Sequence, residues 1–203
     1  MILQGQAGIA TVNDGNIATA RMGRQGDQIV SELHGRYYEA TVRGNMYGIT
    51  GGLTTTTAAG AATFTGLVVG NPAGSGYNMV VNKIIIMQGA ALTAETEIGV
   101  MYGPSTAPIT ASLATIFNRK AGGAASVCVA NAGQTITAPT AFIPLIGSGS
   151  GAITVPGVIP PCVVDMEGSL VIPPGYFLAS YTSRITTTAL MFGFNWEEVP
   201  IIA

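Results

Sequence analysis

The alternation of apolar and polar positions is clearest from Gly66 to Gln88, GLVVGNPAGSGYNMVVNKIIIMQ, which reads as strand, turn, strand. Leu67-Val68-Val69 is a short apolar run with two β-branched valines, and Asn71 to Gly76 gathers residues that suit tight turns, where Pro fixes φ and Gly permits φ > 0. In the second strand period two sends Met79, Val81, Ile85 and Met87 to one face and Val80, Ile84 and Ile86 to the other. Ile84 to Met87 is then apolar on both faces, and a strand with one wet face should alternate instead. The expectation is a second dry face, covered by another subunit.

Other segments follow the same period. Tyr37, Glu39, Thr41 and Arg43 alternate with Tyr38, Ala40 and Val42, which predicts a strand; the competing helix would place Glu39 and Arg43 at i, i+4. Residues 51–65 read as an irregular Thr/Ala/Gly strand, and Glu95 to Tyr102 as a strand ended by Gly103-Pro104-Ser105. Residues 111–117 fit a helical turn or a loop. Ala125–Ala130 and Thr135–Ala138 read as two short strands, and the prolines of 139–161 restrict that region to loop or sheet edge. Ser169–Ile172 and Tyr176–Tyr181 flank Pro173-Pro174-Gly175, a type II turn signal, and read as a closing hairpin. In the last strand Leu190, Phe192, Phe194 and Trp196 share a face that should lie in the core, with Glu197-Glu198 marking the exit to solvent. Many short strands without a long helix predict an all-β antiparallel sandwich over 29–203. Residues 1–28, Gly/Ala/Asn-rich and aperiodic, read as an extended N-terminal arm.

Composition sharpens this picture. Charged residues are 9% of the 203, against about 25% in an average domain. Eight of the eighteen charges (8 Lys+Arg, 10 Asp+Glu) lie between Asp14 and Arg43, and 44–82 and 121–164 carry none. Long uncharged spans suit surface that is buried in an assembly. A net charge of −2 supplies no bulk attraction to nucleic acid or to an acidic membrane. No apolar run approaches the ~20 residues of a membrane helix. Met1-Ile2-Leu3-Gln4 lacks the basic and apolar regions of a signal peptide. Cys128 and Cys162 could form one bridge; so sparse a pair reads better as two reduced, buried thiols in a chain made in a reducing cytoplasm.

Candidate chemistry is thin. His34 is the only histidine, so no multi-histidine metal site exists. Glu95 with Glu97, and Asp165 with Glu167, are i, i+2 carboxylate pairs of the kind used in glycoside hydrolysis or cation binding, but each stands alone. Cys128 has no base near it in sequence. Gly70 to Gly76 lacks the Lys-Ser/Thr and the helix of a phosphate loop. Tyr37-Tyr38 between Arg36 and Arg43 is a weak nucleic-acid signal, better read as structural. No catalytic residue, cofactor or metal is expected. Arg21 and Arg24, beside Gly23 and Gly26, are read as gripping a neighbour's carboxylates or carbonyls from the arm, with a solvated loop as the alternative.

Three segments, ELHGRYYEATVRGNMYG (32–48), GLVVGNPAGSGYNMVVNKI (66–84) and SLVIPPGYFLASYT with MFGFNWEEVPI (169–201), resemble structural proteins of tailed bacteriophages and prophages. The resemblance implies a virion component of head-decoration (cement) type. It also implies a β-sandwich or jelly roll, a homo-oligomer with a trimer favoured, a major capsid protein as partner, and a place on the capsid surface. The expected subunit or capsid contacts are Arg21, Arg24, Arg36, Arg43, Ile84 and Ile86. The alternative is a tail, collar or fibre-base component whose loops 103–110 and 139–161 contact host glycan. A lectin-like or polysaccharide-active protein using Glu95 and Glu97 comes third.

Overall fold

The computed structural model describes residues 35–51, 54–56, 63–88, 92, 95–112, 114–137, 141–148, 161–184 and 186–201. The arm assigned to 1–28, with Arg21 and Arg24, and His34 lie outside these residues. The chain divides into two units, Met1–Glu39 and Ala40–Ala203.

Its elements, in order, are α1 (Tyr38–Val42), β1 (Met46–Thr50), β2 (Thr54–Thr56), β3 (Thr63–Asn71), β4 (Tyr77–Gln88), β5 (Thr96–Pro104), β6 (Phe117–Asn118), β7 (Val129–Thr137), β8 (Ala141–Ser148), β9 (Cys162–Ile172), β10 (Tyr176–Thr182) and β11 (Thr186–Pro200). They build two antiparallel sheets packed face to face, the expected all-β sandwich. The first runs β6-β1-β11-β4-β9, with β2 also on β11; the second runs β7-β3-β10-β5-β8. Four pairs are nested in sequence: β5 with β8, β4 with β9, β3 with β10, and β1 with β11. The chain is in effect one long antiparallel hairpin, rolled so that successive segments fall in opposite sheets. That is jelly-roll wrapping.

The roll corrects the closing hairpin. Gly175 takes φ 83° and Tyr176 N–H donates to Pro173 O at 3.2 Å, so the type II turn is present. Yet β9 pairs with β4, while β10 pairs with β3 and β5 in the other sheet. The turn is a corner between sheets, as is the Asn71–Gly76 turn between β3 and β4. Both corners meet at Asn71, 1% exposed. Its amide donates to Tyr77 O at 2.8 Å and Ile172 O at 2.9 Å, its Oδ1 accepts from Ser75 Oγ at 2.6 Å, and its backbone O accepts from Gly175 N at 2.8 Å.

The strand expected over 37–43 is corrected to the helical turn α1. Gly44 ends it at φ 81°, with Asn45 N–H on Ala40 O and Gly44 N–H on Thr41 O, the paired bonds of a Schellman cap. The two short strands of 125–138 are one strand, β7. The helical turn expected over 111–117 is absent among its described residues: Ser112 bridges to Asn131, and Phe117–Asn118 pairs with β1. Pro144 lies in β8, at a sheet edge as its missing N–H requires. It pairs with Gly99, where a Cβ would stand 2.0 Å from Ile143 O.

The core confirms the aromatic strand and corrects the facing of β4. Leu190, Phe192, Phe194 and Trp196 are all fully buried. Met79, Val81, Ile84 and Ile86 all join the same core cluster. The parity changes because β4 carries a bulge at Asn82: pairing with β9 shifts between Val81 and Lys83, and β11 passes from Asn195 to Trp196 across the same point. Ile85 and Met87 face outward and are half-buried. The strands that are dry on both faces are in the second sheet, where Val69, Val100 and Leu178 face the sandwich core while Val68, Met101, Phe177 and Ala179 form a separate outer cluster with Ile136.

Candidate functional site

Two surfaces and one cleft offer chemistry. The first surface is the outer face of the first sheet over β4 and β9. Across these strands Ile85 pairs with Val163, Val80 with Val171, and Lys83 with Asp165. Val163 is 51% and Val171 44% exposed. Lys83 Nζ and Asp165 Oδ1 are 3.1 Å apart, and half-exposed groups of this kind contribute little to stability. On the neighbouring strands Gly193 lies beside Ile85 and Asn195 beside Lys83. Arg119 donates to Asn195 Oδ1, and its guanidinium occupies the space a side chain at Gly48 would fill. Across β4 and β9 the face is therefore a polar row between two apolar ones, and Glu197 of β11 lies beside Val80. Strand β9 is the sheet edge, and Glu167 (φ 49°) and Gly168 (φ 80°) bulge it, which discourages open-ended strand pairing.

The second surface is a polar pocket of about 400 Å³ lined by Arg43, Tyr47, Tyr77, Lys120, Glu198 and small residues of the loop from Gly122 to Val127. Glu198 forms its floor and is only 3% exposed, which corrects the expected exit to solvent. The signal was in the sequence: Trp196 and Glu198 are i, i+2, and share the core face. The carboxylate is held by neutral donors. Ser126 Oγ–H bonds Oε1, Trp196 Nε1–H reaches Oε1 at 3.4 Å, and Val127 N–H reaches Oε2 at 3.3 Å. These bonds pin the loop to the end of β11. Burial, and then the Glu198 charge, push the Cys128 thiol well above its ordinary value. The same two causes raise the Tyr47 phenol. Both shifts favour the protonated forms and so disfavour a Cys128 thiolate. At the rim Lys120 Nζ donates to Val42 O at 2.8 Å, and Arg43 is exposed.

The cleft, about 380 Å³, lies beside the Asn71 corner, between Gly70–Ala73 and Ser105–Ile109, and no titratable side chain lines it. Ile109 packs on Gly70, where a Cβ would come within 2.4 Å.

The remaining candidates are scattered. Ile84 and Ile86, at 0% and 4% exposure, are core residues and offer nothing to a partner. Arg36 is exposed just before α1. Glu95 and Glu97 are exposed, and Tyr181 O–H donates to Glu97 Oε2 at 3.4 Å. Cys128 and Cys162 are free; Cys128 is buried and Cys162 half-buried. Among the described residues no three of His, Cys, Asp and Glu cluster as metal ligands, and no helix is long and apolar enough to cross a membrane. No family model, curated protein or solved structure matches the chain.

Proposed function

We propose that the chain is a non-enzymatic virion structural protein, a capsid decoration (cement) protein that binds the lattice of a major capsid protein as a homotrimer. The observation that carries this reading is the outer β4–β9 face. Val80, Ile85, Val163 and Val171 lie there on a paired sheet, interrupted by the Lys83–Asp165 pair and by exposed Glu167 and Ser169 on β9, with Glu197 beside Val80 and Arg119 and Asn195 at the flank. Such a face is suited to burial against protein, and specific interfaces cover about 800 Å² per partner. The jelly-roll wrapping adds support by analogy, since it recurs in viral capsid proteins and also in lectins.

The test is co-sedimentation of the purified protein with undecorated heads of the encoding phage. Saturable binding at a fixed stoichiometry is expected. The double variant Ile85→Lys, Val163→Lys, which places charge on outward positions, should weaken binding by at least about tenfold with little change in thermal stability. Absence of saturable binding by the unaltered chain would refute the lattice reading.

The polar pocket favours a second reading, a tail, collar or fibre-base component that contacts host glycan. The position of the chain on the particle separates the two: lattice sites on the head, or an axial site on the tail.

A further inference from the structure

We infer that the pocket floored by Glu198 is a binding site for an acidic monosaccharide unit, a hexuronate or sialate at the end of a glycan. The inference rests on the second reading for its biological setting and on the pocket for its chemistry.

The charges of the pocket are arranged in two tiers. Glu198 lies at the floor, 3% exposed and fixed by Ser126, Val127 and Trp196. Arg43 and Lys120 stand at the rim. Lys120 is already steadied by one bond to Val42 O, while among the described residues Arg43 makes no ion pair. A ligand that is only anionic would satisfy the rim and be repelled by the floor. A ligand that is only cationic would meet the reverse. An acidic sugar matches both tiers: its carboxylate accepts from the guanidinium and ammonium groups, and its ring hydroxyls donate toward Glu198. Tyr77, half-buried in the wall, offers a ring edge and a hydroxyl to the sugar. A volume of about 400 Å³ lies within the usual small-molecule range of about 300–1,000 Å³. It exceeds what a lone acetate-like group needs.

The pocket is also preorganised. Asn118 Nδ2–H donates to Gly44 O at 2.8 Å and Ala124 O at 2.9 Å, and its Oδ1 accepts from Lys120 N at 2.9 Å. One side chain thus holds both walls, and little ordering remains for the ligand to drive.

The test is titration of the full chain, by saturation-transfer NMR and calorimetry, with glucuronate, N-acetylneuraminate, glucose and free glutamate. The acidic sugars should bind with Kd on the order of 1 mM, weakening as salt rises. Glucose and glutamate should each bind at least about tenfold more weakly. Arg43→Ala removes an exposed side chain that makes no ion pair among the described residues, and should weaken the acidic sugars about tenfold at unchanged thermal stability. Equal affinity for glucose, equal affinity for glutamate, or an unaffected Arg43→Ala protein overturns the inference while leaving the second reading standing. Failure of every sugar to bind overturns both.

Discussion

Replacing Trp196 by alanine is expected to remove about 3–5 kcal/mol of folding stability. The indole is fully buried in the middle of the core cluster. It stacks on Tyr47 with ring centroids 6.2 Å apart and planes at 25°. Its N–H also reaches Glu198 Oε1 at 3.4 Å. Alanine would leave a cavity between two sheets whose backbone ladders resist collapse, and would take one donor from a buried carboxylate. Since whole domains are stable by only about 5–15 kcal/mol, the loss is a large share. Trp196 is the sole tryptophan, so the variant must be followed by circular dichroism in guanidinium rather than by indole fluorescence. Trp196→Phe keeps a ring in the site and should lose markedly less. A loss below about 1 kcal/mol for the alanine variant would place the indole outside the core.

Asn71→Ala should cost about 2–4 kcal/mol through a different mechanism. Its amide donates to Tyr77 O and Ile172 O, at the mouths of both sheet-to-sheet corners. Truncation strands Ile172 O, takes the acceptor of Ser75 Oγ, and leaves Tyr77 O only the longer 3.3 Å bond from that hydroxyl, in a site where the asparagine is 1% exposed; each buried group left unpaired costs about 1–3 kcal/mol. Asn71→Asp conserves the shape but replaces the donor by a second acceptor, so it should be at least as damaging. Equilibrium denaturation gives the magnitude. Amide exchange at Gly175, whose N–H bonds Asn71 O at 2.8 Å, shows whether the corner itself has loosened. If both variants lose less than about 0.5 kcal/mol, the corners are held by something else.

The same two sites show where the sequence could be read. The β11 aromatics repeat at period two with nothing to interrupt them, so their common face and their burial were legible. Asn71 was read only as a turn former. Its turn and the Pro173-Pro174-Gly175 turn carry the residues a hairpin would carry, because a corner between sheets makes the same local demand on φ. What separates them is which distant strands pair, and nested pairs such as β1 with β11 leave no local trace. In β4 a single bulged residue, Asn82, reverses the parity of everything after it. Ile84 and Ile86 therefore looked like an outer face when they are core, and the outward positions fell to Ile85 and Met87. In α1, five helical residues are too few for the 3.6 period to outweigh an apparent alternation of two. Glu198 was misplaced for a chemical reason: a carboxylate after an aromatic strand suggests solvent, although its parity with Trp196 placed it on the core side. Nothing in the sequence announces Ser126 and Val127 as its donors, because they reach it only when the 119–128 loop folds over the end of β11.

The claim that the outward β4–β9 face is buried against other protein, with sister copies of the trimer covering part of it, is tested most directly by light scattering on the unaltered protein across a micromolar concentration series. Three copies of the 20.6 kDa chain give about 62 kDa, and that mass should hold on dilution and fall toward a single chain in the Ile85→Lys, Val163→Lys variant. A mass of 20.6 kDa at every concentration, identical in the unaltered and variant chains, would contradict it.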